Sequence, residues 1–138
     1  MIILNKQQFQ EILGHAESCL PAEACGLLGG TIAGDLKTIK KVYLLANLDN
    51  SAEHFSMDPK EQFVVIKEIR NNGWVLLGNF HSHPETPARP SEEDKKFAFD
   101  PTMLYFIISL ANREKPVLKA FQIKESVASE ETIKIVEG

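Results

Sequence analysis

Apolar and polar positions along this chain fall into blocks of changing period, and the blocks predict a mixed α/β fold. Phe9, Ile12, Leu13, Ala16 and Leu20 recur at helical spacing, as one buried helix face requires. Asn5 before them, with Gln8 three residues on, has the form of a helix N-cap and its box partner. A first amphipathic helix is expected to run to about Cys19, with Pro21 ending it. Ala24 to Gly30 is a short apolar run closed by two glycines, which suits a buried strand. Ala33-Gly34-Asp35 has hairpin-turn chemistry. Leu36 to about Ala46 follows as a second extended stretch, bent near Lys40, and Asn47 to Ser56 is a polar loop.

The second half continues the alternation. Asp58-Pro59-Lys60-Glu61 is a helix start in which Asp58 caps, Pro59 takes the first helical position and Glu61 closes the box. Phe63, Ile66 and Ile69 carry its apolar face, and Gly73 stops it. Trp74 to His83 is expected as a strand and Ser91 to Phe99 as a helix. Leu104 to Leu110, Val117 to Ile123 and Thr132 to Val136 are expected as three further strands. This order predicts a mixed sheet flanked by helices. No repeat, linker or low-complexity segment divides the 138 residues, so residues 1–138 are expected to form one domain.

One segment carries chemistry. His81-Ser82-His83-Pro84 is followed, after six residues, by Ser91-Glu92-Glu93-Asp94. Strand side chains alternate faces, so His81 and His83 share one side and can converge on one metal ion. Pro84 cannot donate to a sheet ladder and would end the strand there. Residues 84 to 90 contain three prolines, each fixing a φ angle, so this connection should be stiff. Ser91 and Asp94 lie three apart at a helix start and can face the same way. Ser-x-x-Asp taken alone is also an ordinary capping box.

A third ligand from Asp94 would complete a His₂Asp set with a fourth position open, the pattern of a catalytic zinc. Iron, cobalt or manganese suit the same donors. Zinc would bring the pKa of its water to about 7. Glu23, a lone acid beside the apolar run Ala24-Cys25-Gly26-Leu27-Leu28, is the candidate general base. Burial would raise its pKa toward the working range. Ser91 is placed to donate to a developing oxyanion. His15, on the first helix, and His54, in the polar loop, have no such context and are expected at the surface.

Composition narrows the field. At 43% hydrophobic and 25% charged the chain has globular proportions. No apolar run reaches the roughly 18 residues that span a bilayer. Ile2, Ile3 and Leu4 lack the basic region that precedes a secretory signal core. A net charge of -4 opposes a broad grip on nucleic-acid phosphates. Cys19 and Cys25 form no disulfide framework, and a reducing cytoplasm is the expected compartment.

The motif positions resemble those of the JAMM, or MPN-plus, metalloproteases: an upstream Glu, H-[ST]-H-P, a short spacer and S-x-x-D. Here Glu23, His81, Ser82, His83, Pro84, Ser91 and Asp94 fill them all. The runs from Glu23 to Leu28, Phe55 to Pro59 and Ala88 to Ser91 are similar to the small prokaryotic branch. The resemblance implies a cytidine-deaminase-like mixed sheet and one zinc per chain held by His81, His83 and Asp94. It implies Glu23 as acid and base and Ser91 as oxyanion donor. It also implies a deubiquitinase-like peptidase cutting a peptide or isopeptide bond after the Gly-Gly tail of a ubiquitin-like or sulfur-carrier protein. The competing readings are a silent scaffold of the same fold, a zinc hydrolase of a small molecule, and a thiol hydrolase using Cys25. A deaminase would need H-x-E with P-C-x-x-C, which the sequence does not contain. For the substrate grip, Val42 to Leu48 is the candidate sheet edge for strand addition, with the loop 47–56 folding over the tail.

Overall fold

The chain opens on a strand that its apolar pattern alone does not separate from the following helix. In the computed structural model, which describes residues 1–138, β1 (Ile2–Asn5) is four residues long, with Ile2 and Leu4 fully buried. Asn5 ends it and caps α1 (Lys6–Ser18). The Gln8 N–H donates to the Asn5 side chain, and the Asn5 N–H donates to the Gln8 side chain. That exchange satisfies two donors left free at a helix start. The helix stops at Cys19, so Pro21 follows the stop rather than imposing it.

β2 (Cys25–Ala33) and β3 (Leu36–Leu45) form a hairpin that turns at Gly34, whose φ of +61° suits glycine. The bend expected near Lys40 is a β-bulge. Gly29 pairs with Lys41 and Gly30 with Ile39, leaving Lys40 as the extra residue. A side chain at Gly30 would collide with the Thr38 carbonyl. Asp58 caps α2 (Pro59–Asn71), accepting from the Lys60 N–H. Glu61 does not close the box. Its carboxylate instead accepts from the Ala46 N–H at 3.3 Å and ties the helix start to the end of β3.

β4 (Val75–His83), α3 (Glu92–Lys96), β5 (Leu104–Ser109) and β6 (Val117–Lys124) follow, then β7 (Val127–Glu131) and β8 (Ile133–Val136). The third helix is shorter than its pattern suggested and ends at Phe97. β7 is a strand the pattern missed. Most of its residues are exposed, and it returns from β6 through Glu125 and Ser126, both at positive φ.

All eight strands join one sheet in the order β7-β6-β5-β4-β2-β3-β1-β8. β1 runs parallel to β3 and β8, and β4 parallel to β5, while the other pairs are antiparallel. The expected mixed sheet flanked by helices is therefore present. Ile12 and Ala16 of α1 join Ala24, Leu28, Phe80 and Phe106 in the main core. On the opposite face, Ile69 of α2 packs with Cys25, Leu27 and Leu45. Further along that face Ala88, from the segment after β4, packs on Ile107, Phe121 and Ile123. β4 lies between these two clusters. Its Phe80 goes to the α1 side, so Asn79, His81 and His83 face the seam. No helix is long and apolar enough to cross a membrane.

Candidate metal centre

His81 and His83 end β4, and each is almost fully buried. Ser82 between them turns the other way. Its hydroxyl accepts from the Ala24 N–H at 2.7 Å, and its own N–H donates to the Ala24 carbonyl at 3.0 Å. This clamp fixes the pitch of both imidazoles and fastens β2 to β4 just beyond the Cys25–His81 pair. Extending that register by two residues sets Glu23 opposite His83.

Asp94 arrives from α3. The Ser91 N–H donates to Asp94 Oδ2 at 2.9 Å, and the Asp94 N–H donates to Ser91 Oγ at 3.0 Å. The capping box thus holds the carboxylate as well as the helix. Ser91 Oγ accepts in this exchange, so its own proton is left to donate outward.

The three side chains meet in a nearly equilateral triangle. His81 Nε2 lies 3.2 Å from His83 Nε2, and each lies 3.1 Å from Asp94 Oδ2. Tetrahedral bonds of about 2.0–2.1 Å to zinc require ligand atoms roughly 3.3 Å apart, so the triangle is close to the needed size. His83 Nδ1 donates to the Pro87 carbonyl at 2.9 Å, which leaves the Nε2 lone pair facing the triangle. The stiff proline loop supplies that carbonyl. It is held in turn by the Ser109 hydroxyl, which donates to the Thr86 carbonyl. A lone pair and a carboxylate oxygen converging at 3.1 Å repel unless a cation or proton lies between them, so the donor set fits a divalent metal. The charges respond accordingly. Burial opposes ionisation of Asp94, but bonds to His81 and His83 outweigh it and hold its pKa well below the usual range. Burial also opposes charge on His83, whose bonds to Asp94 and Pro87 nonetheless leave its pKa raised.

Glu23 is 3% exposed, and its Oε1 is buried with no partner. Burial pushes its pKa up to about 8. His83 opposes this, while Asp94, Glu93 and Glu53 add to it. Its backbone is pinned on both sides by the loop 47–56. The Glu23 N–H donates to the Ser51 carbonyl at 2.7 Å, and Asn47 Nδ2 donates to the Glu23 carbonyl at 3.0 Å.

Sequence reasoning missed several members of the site. Asn47 organises the loop, donating also to the His54 carbonyl and accepting from the Asp49 and Ser56 N–H groups. Phe55 stacks on His81 with ring centroids 4.8 Å apart. The run Phe55 to Pro59 was the only signal for it. His54 is exposed as expected, 3.8 Å from Glu93 across the cleft. His15 is not at the surface. It is half-buried, with Nε2 2.9 Å from the Leu45 carbonyl and 3.1 Å from the Cys25 carbonyl. Cys25 is fully buried, and burial raises its thiol pKa to about 12. A nucleophilic role for that thiol is therefore unsupported.

A cleft of about 550 Å³ opens from His81 and Asp94, between the loop 47–57 and α3, across Asn79, Tyr105 and Ile123. None of residues 42–48 lines it. β2 separates β3 from β4, so the strand edge expected to receive substrate faces away from the metal side. Phe55 of the loop 47–56 lines this cleft where it stacks on His81.

Residues 5–124 match the family described as prokaryotic homologs of the JAB domain. The chain is 26% identical over 137 residues to the CysO-cysteine peptidase of Mycobacterium tuberculosis, covering 99% of this chain and 92% of that one. It is 33% identical over 105 residues to the desampylase of Haloferax volcanii, covering 71% and 73% respectively. The solution structure of a Desulfitobacterium hafniense protein superposes with a TM-score of 0.93 at 59% identity, covering 100% of this chain and 94% of that one. With the motif complete and its side chains assembled at one point, the chain belongs to the family of prokaryotic JAB-domain proteins.

Proposed function

We propose that the protein is a single-domain zinc peptidase, one metal per chain, that cuts the bond following the Gly-Gly tail of a ubiquitin-like or sulfur-carrier protein in the cytoplasm. The observation that carries this reading is the triangle of His81, His83 and Asp94 beside the buried, unpaired carboxyl of Glu23. The relatives named as CysO-cysteine peptidase and desampylase support peptidase chemistry on a protein substrate.

A zinc ion held by His81, His83 and Asp94 would supply Lewis acidity at the scissile carbonyl and a water of lowered pKa. The chain's own residues do the rest. Glu23 Oε1 accepts the attacking water's proton and returns it to the departing amine nitrogen. A carboxyl whose pKa burial has raised fits this exchange. The Ser91 hydroxyl donates to the oxygen that gains charge as the carbonyl is attacked. Phe55 and the loop behind it exclude bulk water from one side of His81.

The test is to load the protein with zinc and incubate it with a small carrier fused through Gly-Gly to a second protein, reading products by mass spectrometry. Release of the carrier ending in Gly-Gly, abolished by chelator and restored by zinc, is expected. An intact fusion after exhaustive incubation with zinc-loaded protein would overturn the proposal.

A further inference from the structure

Four buried side-chain polar atoms have no hydrogen-bond partner, and two of them, Glu23 Oε1 and His81 Nδ1, belong to the metal centre. A third is the Oδ1 of Asn79, a residue that lines the same cleft and has no part in the chemistry above. Leaving a buried acceptor unpaired costs stability, so an amide in this state calls for a reason. Asn79 is on β4, two residues before His81, and strand alternation gives both the same face. Its backbone is already paired in register with Leu27 and Tyr105, so the side-chain amide is the group left to meet a ligand.

We infer that Asn79 is a specificity residue that grips the main chain of the substrate tail. This rests on the peptidase reading above. A side-chain amide carries one acceptor and two donors, the complement of a peptide group. A Gly-Gly tail offers no side chain to hold, so its binding must come largely from such main-chain bonds. The spacing sets which peptide group is met. Two strand residues separate Asn79 from His81, about 6.6 Å, and an extended tail advances about 3.3 Å per residue. With the last glycine carbonyl at the metal triangle, Asn79 reaches the residue just before the two glycines. Met57, Ile107 and Phe97 line the same cleft and provide its apolar walls.

The test uses Asn79→Leu, which keeps the shape and removes the amide. Two probes are compared with wild type: a hexapeptide ending in a Gly-Gly carboxylate, for binding by calorimetry, and the same peptide joined through an amide to a fluorescent amine, for cleavage. Asn79→Leu is expected to weaken hexapeptide binding and raise KM by about five- to thirtyfold, the scale of one or two hydrogen bonds. kcat should stay within about twofold. The peptide-free variant should melt at a higher temperature than wild type, because an unpaired buried acceptor is gone. N-methylation of the residue before the glycines should cost wild type a similar factor and cost Asn79→Leu little. A structural role would instead lower the melting temperature and leave KM alone, and that outcome overturns the assignment. So does unchanged hexapeptide affinity. If Asn79→Leu behaves as unstable, Asn79→Asp, which keeps the acceptor and loses the donors, is read in the same two assays. Binding that depends on Asn79, with no cleavage by wild type, would sink the peptidase reading and leave only the main-chain grip on the tail standing.

Discussion

Glu23 concentrates the tension at the residue scale, because the burial that suits it to the proton transfer proposed for it also makes it costly to ionise. In metal-free protein its pKa of about 8 lies above the ordinary 4.5. Between those values the folded chain keeps a proton that the unfolded chain has released. The contribution to stability is therefore complete below pH about 4.5 and is lost as pH rises through about 8. Glu23→Gln has no proton to lose. Chelator-treated Glu23→Gln should gain stability over wild type as pH rises from 5 to 9, by on the order of a few kcal/mol at the upper end. Denaturant unfolding across that range measures it. Parallel stability curves for the two proteins would mean that Glu23 is solvated. Neighbouring Cys25 shows the converse, since burial there silences a thiol that the sequence left open as a nucleophile.

At the scale of elements, the loop 47–56 is the part of the site with the least sequence signal and the most structural consequence. Its polar composition marked it as a loop. One side chain, Asn47, makes four hydrogen bonds there, to residues as far apart as Glu23 and Ser56. Asn47→Ala should destabilise the protein by about 1–3 kcal/mol, since several loop groups lose their partner together. It should also make this loop the first site of limited proteolysis and leave metal content at one per chain. A digestion pattern unchanged from wild type would contradict the role given to Asn47. The helices show a related division. The α1 capping box was legible because both of its members are local. Glu61 was misread as a box partner because its true acceptor role, toward Ala46, depends on where β3 ends.

At the scale of the whole molecule, the candidate metal ligands were the most legible feature and the proposed substrate path the least. His81, His83 and Asp94 stand out because a metal site would demand particular residue types on a strand and at a helix start. The mixed sheet followed from block periods, yet two strands escaped. β1 is too short to show a period before α1 begins, and β7 alternates weakly because so many of its residues meet solvent. Strand order is a long-range property, and it overturned the proposed substrate edge. β2 stands between β3 and β4, and the cleft beside the His81–Asp94 cluster lies over β4, β5 and β6. The central claim, metal chemistry with Glu23 as its proton carrier, is tested most directly by one comparison. Zinc-loaded wild type and zinc-loaded Glu23→Gln are assayed side by side on the same Gly-Gly fusion, with metal content measured in each sample. Equal zinc, one per chain, is expected, with a rate at least about 10²-fold lower in Glu23→Gln. Equal zinc with an equal rate would contradict it.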